Sequence, residues 1–97
     1  MLGQLRIYTI NKGEMDAFLT HFATDIRPLH EKVGLPIVAT WVNRPQNEFV
    51  WLRTFTDEAD REAKQKAFRD ASAAAGVQLG GNVAKMEVRE LEAAFPG

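Results

Sequence analysis

The hydrophobic positions of this chain change their period several times, which predicts both strands and helices. An alternating pattern with a period of two predicts β-strands over residues 4–10, 36–42, 48–55 and 84–91. Apolar residues spaced by threes and fours predict a first helix over residues 14–33 and a second that follows Asp57 and ends at Gly76. The predicted order is therefore βαββαβ, with two helices on one face of a four-stranded antiparallel sheet.

This order is typical of a ferredoxin-like α+β sandwich, and 97 residues favour a single domain over residues 1–97. Pro28 interrupts the apolar stripe of the first helix, so we expect a kink or bulge between Thr24 and Pro28. The second helix is expected to bury a lean stripe made mostly of alanines: Ala59, Ala63, Ala67, Phe68 and Ala71. Gly80-Gly81 does not lead from a strand into a helix, so we interpret it as a flexible loop rather than a phosphate cradle.

Strands two and three form a predicted hairpin with a high density of aromatic residues. If Trp41 pairs with Trp51, both indoles lie on one side of the sheet. The side that faces the helices is then expected to carry apolar residues: Leu5, Ile7, Val50, Leu52, Met86 and Val88. The opposite side is expected to carry aromatic and charged residues: Arg6, Tyr8, Trp41, Phe49, Trp51, Arg53, Phe55, Lys85, Glu87 and Arg89.

An aromatic patch of that size is larger than a soluble monomer usually exposes. Two copies packed face to face about a twofold axis would bury it and would let arginines meet glutamates. We therefore expect a homodimer closed through the sheets.

Composition and charge exclude several classes of partner. Twelve basic and thirteen acidic residues leave a net charge of −1, which gives no electrostatic reason to expect nucleic acid or an anionic membrane. Cysteine is absent, which excludes disulfides and thiolate chemistry. We see neither a signal-peptide pattern nor an apolar stretch of the ~20 residues that span a bilayer, so we expect a cytoplasmic protein.

Short motifs across the chain carry a family resemblance. They are residues 5–10 with Lys12-Gly13, 26–29 with Gly34, Trp41-Val42, 47–55, 62–64 and 88–92. In this order and spacing they resemble the NIPSNAP family, within the dimeric α/β-barrel superfamily, over about residues 5–92. The resemblance implies the ferredoxin-like fold and the sheet-to-sheet dimer, but it supplies no accepted catalytic residues. Related barrel families include cofactor-independent monooxygenases, small isomerases and haem-using enzymes, and an activity taken from them is analogy from fold.

Aromatic and cationic residues form the predicted ligand-binding set: Arg6, Tyr8, Trp41, Trp51 and Arg53. A flat aromatic substrate could stack on the indoles while an arginine holds its phenolate or carboxylate. The alternative is that the same residues build the dimer interface.

His21 and His30 lie nine residues apart, on opposite sides of a straight helix, so we expect no metal site. His21 with Asp25 could act as an oriented general base, although a solvent-exposed polar pair is the simpler interpretation. The candidate catalytic residues are His21, Tyr8 and Arg53.

These observations predict a dimer that binds a small, partly apolar molecule at or near the barrel, without a cofactor. One alternative is a cofactor-independent monooxygenase or isomerase acting on an aromatic or polyketide-like compound. Another is a non-catalytic structural or partner-binding dimer. RNA-recognition motifs share the βαββαβ order, but Asn47-Glu48 replaces the basic-glycine start of their signature. Nucleic acid is therefore not an expected partner.

Overall fold

The computed structural model describes residues 1–95. Its elements are β1 (Leu2–Ile10), α1 (Met15–His21), α2 (Arg27–Val33), β2 (Ile37–Asn43), β3 (Glu48–Phe55), α3 (Glu58–Ala75) and β4 (Val83–Glu92). The strands form one sheet in the order β2-β3-β1-β4, and every neighbouring pair is antiparallel. The predicted ferredoxin-like sandwich is confirmed.

A single turn of π-helix over Phe22–Ile26 joins α1 to α2. Pro28 lies in the first turn of α2, where its missing backbone donor is tolerated. The π-turn takes up one extra residue ahead of this proline, so the predicted bulge is confirmed, two residues earlier than expected. Gly34, with a φ of 70°, ends α2 in the left-handed conformation.

The register of the β2–β3 hairpin differs from the prediction by one residue. Trp41 pairs with Val50, and Trp51 pairs with Thr40. Directly paired residues lie on the same side of a sheet, and a shift of one residue moves a side chain to the opposite side. The two tryptophans therefore lie on opposite faces.

The predicted assignment of the faces is wrong for the two central strands. The side covered by the helices carries polar, aromatic and cationic residues: Gln4, Arg6, Tyr8, Phe49, Trp51, Arg53 and Phe55. The uncovered side carries the four aliphatic residues expected under the helices: Leu5, Ile7, Val50 and Leu52. We call this uncovered side the open face; Trp41, Lys85, Glu87 and Arg89 also lie there, as predicted. Met86 and Val88 lie on the helix side, as predicted.

Aromatic packing explains which side the helices cover. Phe18 of α1 and Phe22 of the π-turn pack against Tyr8, Phe49 and Trp51 of the sheet. The Phe22 and Trp51 ring centroids lie 5.1 Å apart at 85°, an edge-to-face arrangement. Rings bury more area per residue than aliphatic side chains and gain further from this geometry. The aromatic side of the sheet is therefore the better partner for these helices.

Candidate functional site

The carboxamide of Gln4 lies at the centre of a buried polar network between the sheet and the helices. Its Oε1 accepts hydrogen bonds from Nη1 of Arg6 and from Nε of Arg53, each at 3.0 Å. Nη2 of Arg53 donates to the same oxygen. The Nε2 of Gln4 donates to Oε1 of Glu90 at 2.8 Å, which fixes the orientation of the amide. Two guanidinium groups therefore share one uncharged oxygen.

The side chain of Arg53 also reaches α2. Its Nη1 donates to Nε2 of His30 at 3.2 Å, and Nδ1 of His30 donates to the carbonyl oxygen of Ile26 at 2.9 Å. With one ring nitrogen donating and the other accepting, His30 is neutral. Burial, helped by the positive charges of Arg53 and Arg6, lowers the pKa of His30 to about 4. The imidazole therefore positions Arg53 and adds no charge to the site.

The two guanidinium groups lie over the faces of three aromatic rings. The Cζ of Arg6 lies 5.5 Å from the Tyr8 ring and 5.6 Å from the Trp51 ring, and its Nε donates to the Tyr8 hydroxyl at 3.0 Å. The Cζ of Arg53 lies 5.3 Å from Trp51 and 5.7 Å from Phe68. Cation–π contacts of this kind stabilise a desolvated guanidinium without neutralising it.

The positive charge of this network has no carboxylate of its own. Within residues 1–95, neither Arg6 nor Arg53 forms an ion pair with an acidic side chain. Glu90 contacts the network only through Gln4, and its other oxygen lies 3.1 Å from Arg61. Burial, and then the nearby charge of Arg6, lowers the pKa of Arg53 to about 10, so it stays charged at neutral pH. The carboxylate of Glu90 opposes this shift from beyond Gln4 but does not contact Arg53. A buried cation without a directly bonded counterion is costly, and functional sites are where such groups concentrate.

A cavity of about 250 Å³ lies beside this network, between α3 and the sheet. Its lining comes from the sheet, from α3 and from the loop before β4: Arg6, Arg53, Gln65, Phe68, Arg69, Ser72 and Leu79. The four α3 residues follow the spacing i, i+3, i+4 and i+7 and so share one face of the helix. We call this space the arginine cavity.

The sequence prediction missed the contribution of α3 to this cavity. Of the stripe that it expected to be buried, Phe68 is buried, Ala67 and Ala71 are half-buried, and Ala59 and Ala63 are exposed. The missed signal is the run of side-chain hydrogen-bonding groups at Gln65, Arg69 and Ser72 around the one large apolar residue of the helix. A helix with few bulky side chains leaves space against the sheet, and these polar groups line it.

The structure brings together four of the five predicted ligand-binding residues. Arg6, Tyr8, Trp51 and Arg53 are in contact on the helix side, whereas Trp41 is 53% exposed on the open face. Of these five, Arg6 and Arg53 line the arginine cavity, while Tyr8 and Trp51 lie fully buried behind them. The two arginines of the predicted set therefore line the cavity, Tyr8 and Trp51 pack behind them, and Trp41 takes no part.

His21, a candidate catalytic residue, does not line the arginine cavity. Its Nδ1 lies 2.8 Å from Oδ2 of Asp25, and its Nε2 lies 2.6 Å from the carbonyl oxygen of Gln78. Both partners accept hydrogen bonds, so the ring links the end of α1 to the loop that carries Leu79. His21 thus reaches the cavity only through the position of that loop.

Residues 1–95 contain no group of three or more histidines and carboxylates arranged to hold a metal ion. No helix in this described part of the chain is both long and apolar enough to cross a membrane.

The fold and the cavity together define a class: a ferredoxin-like α+β sandwich with a cationic cavity between α3 and the sheet. The family model of NIPSNAP matches residues 3–91, and the chain belongs to the NIPSNAP family. No protein with a curated description matches the sequence.

Solved structures of low sequence identity share the fold. An uncharacterised NIPSNAP domain protein from Burkholderia xenovorans is 18% identical with a TM-score of 0.78, over 100% of this chain and 99% of that one. A NIPSNAP family protein from Agrobacterium tumefaciens is 15% identical with a TM-score of 0.75, over 94% and 90%. A putative antibiotic biosynthesis monooxygenase from Nitrosomonas europaea is 12% identical with a TM-score of 0.66, over 98% and 100%. At these identities the likeness establishes the fold alone.

Proposed function

We propose that this protein binds a small, partly apolar molecule in the arginine cavity. The observation that carries the proposal is the pair of guanidinium groups, of buried Arg53 and half-buried Arg6, that line a cavity without forming an ion pair to an acidic side chain among residues 1–95. The ring of Phe68 and the side chain of Leu79 give the same cavity an apolar wall. Its volume of about 250 Å³ lies just below the range of about 300–1,000 Å³ that holds drug-sized ligands, so we expect a ligand of about one ring.

The polar groups of the cavity are held in place without a ligand. Arg53 is 5% exposed and is fixed by Gln4 and His30, while Arg6 is fixed by Gln4 and Tyr8. Groups that are already ordered lose little conformational entropy when a ligand binds. This order supports a binding site rather than a fortuitous gap in the packing.

Binding is better supported than catalysis. The monooxygenase alternative has a solved neighbour of that description in its favour, but the likeness is one of fold. A catalytic base would need a free acceptor beside the ligand, and both ring nitrogens of His30 are engaged. The hydroxyl of Tyr8 already accepts a hydrogen bond from Arg6, and its side chain lies behind the cavity wall.

We also propose that two copies of the chain associate through the open face. Its centre is aliphatic, with Leu5, Ile7, Val50 and Leu52 on the two central strands, and the indole of Trp41 stands exposed beside them. An apolar surface of this kind is typical of an interaction site. The cytoplasm, expected from the sequence, stays our predicted compartment.

The binding proposal is tested by ¹H–¹⁵N NMR of the full chain against a panel of one-ring and short-chain compounds of different charge. At least one compound is expected to shift the backbone amides of residues 65–72 and Leu79 in a saturable way. The variant Ser72→Phe, which fills the cavity, should abolish this response. Ala74→Phe adds the same ring at an exposed position of α3 and should leave the response unchanged. A panel that is silent at millimolar concentration would contradict the proposal.

A further inference from the structure

We infer that the ligand of the arginine cavity is an organic carboxylate, with a single ring or a short alkyl chain behind the carboxylate group. The inference rests on the proposed function and adds the chemical class of the ligand. It is carried by the charges that line the cavity, by the hydrogen-bond donors that its arginines still have, and by the apolar side chains that line the same space.

Every charged residue that lines the cavity is positive. Arg6, Arg53 and Arg69 line it, and no aspartate or glutamate of residues 1–95 does. The two remaining polar lining residues, Gln65 and Ser72, are uncharged. An anion in this space would be attracted by three guanidinium groups, of which that of Arg53 is shielded from bulk water and that of Arg6 is half-buried, and electrostatic interactions are stronger where water is excluded. A neutral or cationic ligand would leave that charge uncompensated.

The arginines also have hydrogen-bond donors to spare. A guanidinium group carries five N–H donors. Arg53 uses three of them, two toward Gln4 and one toward His30, and Arg6 uses two, toward Gln4 and Tyr8. Within the described chain, two N–H groups of Arg53 and three of Arg6 thus make no side-chain hydrogen bond. A carboxylate offers two oxygens with about four acceptor positions, which suits converging guanidinium groups.

The apolar wall selects among anions. Phe68 and Leu79 face the same space as the arginines, and Phe68 is buried between His30 and Arg53. Inorganic phosphate would satisfy the arginines but would leave this wall without an apolar partner. An acid with a ring or an alkyl chain places carboxylate on the guanidinium groups and carbon against Phe68 and Leu79. This complementarity favours a carboxylate of the benzoate or phenylacetate type.

Arg69 is the position at which the inference is best tested. It lies at the exposed rim of the cavity, so Arg69→Gln removes one positive charge without disturbing the buried network. Arg44 is exposed in the turn between β2 and β3 and does not line the cavity. Arg44→Gln therefore makes the same change in net charge elsewhere and serves as the matched control.

The experiment compares acids with their primary amides, which have nearly the same shape and no charge. Benzoate and benzamide, phenylacetate and phenylacetamide, and inorganic phosphate are titrated into the full chain and followed by NMR. Each acid is expected to bind at least tenfold tighter than its amide, and more weakly as sodium chloride is raised. Arg69→Gln should weaken binding of the acids at least threefold and leave the amides unchanged, and Arg44→Gln should change neither.

The outcomes separate this inference from the proposed function. If amides bind in the cavity as tightly as acids, the cavity is a binding site but its ligand is not an anion. If inorganic phosphate binds tighter than every acid, the ligand is an anion but not a carboxylate. If no acid, primary amide or phosphate changes the NMR signals of the backbone N–H groups around the cavity, the proposal that this cavity binds small one-ring molecules fails as well.

Discussion

Arg53 donates a hydrogen bond to His30, from Nη1 to Nε2 over 3.2 Å, so a buried cation rests on a buried imidazole. The contact holds only while the imidazole is neutral, because a protonated ring has no lone pair to offer and would repel the guanidinium group. The structure therefore couples the protonation of one side chain to the position of the cation that lines the cavity.

The first prediction is that stability falls in mild acid. The pKa of His30 is about 4 in the folded protein and near its ordinary 6.5 in the unfolded chain, so between these values the unfolded chain binds more protons. The stabilisation is complete above pH 6.5 and is lost as the pH falls toward 4. Linkage predicts a free energy of unfolding about 2 kcal/mol lower at pH 5 than at pH 7, measured by urea denaturation.

Two measurements assign this effect to the buried ring. His30→Gln should flatten the dependence between pH 7 and pH 5. NMR titration of the His30 ring protons gives the pKa directly. A His30 midpoint near 6.5 in the folded protein would refute the prediction.

The second prediction concerns Phe68, whose ring lies 4.3 Å from the His30 ring and 5.7 Å from the guanidinium carbon of Arg53. Phe68→Ala removes a buried ring and leaves a void beside the arginine cavity. We expect the free energy of unfolding to fall by about 3–4 kcal/mol, the range for large core truncations. Phe68→Leu keeps most of the apolar volume and should cost less than half as much. A loss below about 1 kcal/mol for the alanine variant would mean that the site relaxes around it.

The third prediction tests association through the open face. Val50 lies at the centre of that face, paired with Ile7 on one side and Trp41 on the other. Val50→Lys should convert the proposed dimer into a folded monomer, because two lysines would meet at the twofold axis. Sedimentation velocity gives the mass, and circular dichroism checks the fold. Val42→Lys, on the helix side of the edge strand β2, makes the same change and should leave the mass unaltered. A dimer that survives Val50→Lys would show that another surface pairs the chains, and a monomeric wild-type protein would refute the proposed association.

The fourth prediction concerns the loop before β4, which His21 of α1 holds through a hydrogen bond to the Gln78 carbonyl. His21→Ala removes this hydrogen bond, and the loop is then held by the side-chain bond from Asn82 to Glu14, by the backbone bond from Asn11 to the Asn82 carbonyl, and by the packing of Val77 and Leu79. We expect hydrogen exchange of the backbone amides of residues 77–81 to accelerate at least threefold, while β1 is unaffected. Asp25→Ala removes the other partner of His21 but keeps the bond to Gln78, so its effect should be smaller. Equal exchange in all three proteins would place the restraint on the loop elsewhere.

The order of the elements could be predicted because the period of the apolar residues identifies each strand and helix. The two faces of the sheet could not, because both sides of the central strands are rich in apolar residues: Leu5 and Ile7 on one, Tyr8 and Trp51 on the other. Alternation marks a unique inner face only when the outer residues are polar. Here the packing of Phe18 and Phe22 against the aromatic residues of the sheet determines which side the helices cover.

The partners of the buried Arg53 could not be predicted from the sequence either. Arginine is almost never fully buried unless it is paired, and no pattern near Arg53 in the sequence suggests a partner. Its acceptors come from Gln4 and His30, which are 49 and 23 residues away in the chain. Only the folded topology brings them together, so a local pattern predicted the residue type of the site but not the neighbours that hold it.

The π-turn at Phe22–Ile26 has a consequence for how relatives of this protein are compared. One extra residue in a turn rotates everything after it by about 100°, the angle that an α-helix assigns to each residue. A relative that lacks this insertion would direct the residue aligned with His30 away from Arg53, even if both side chains were retained. Within the family, a one-residue gap at this turn is therefore expected to separate chains that can form the Arg53–His30 contact from chains that cannot.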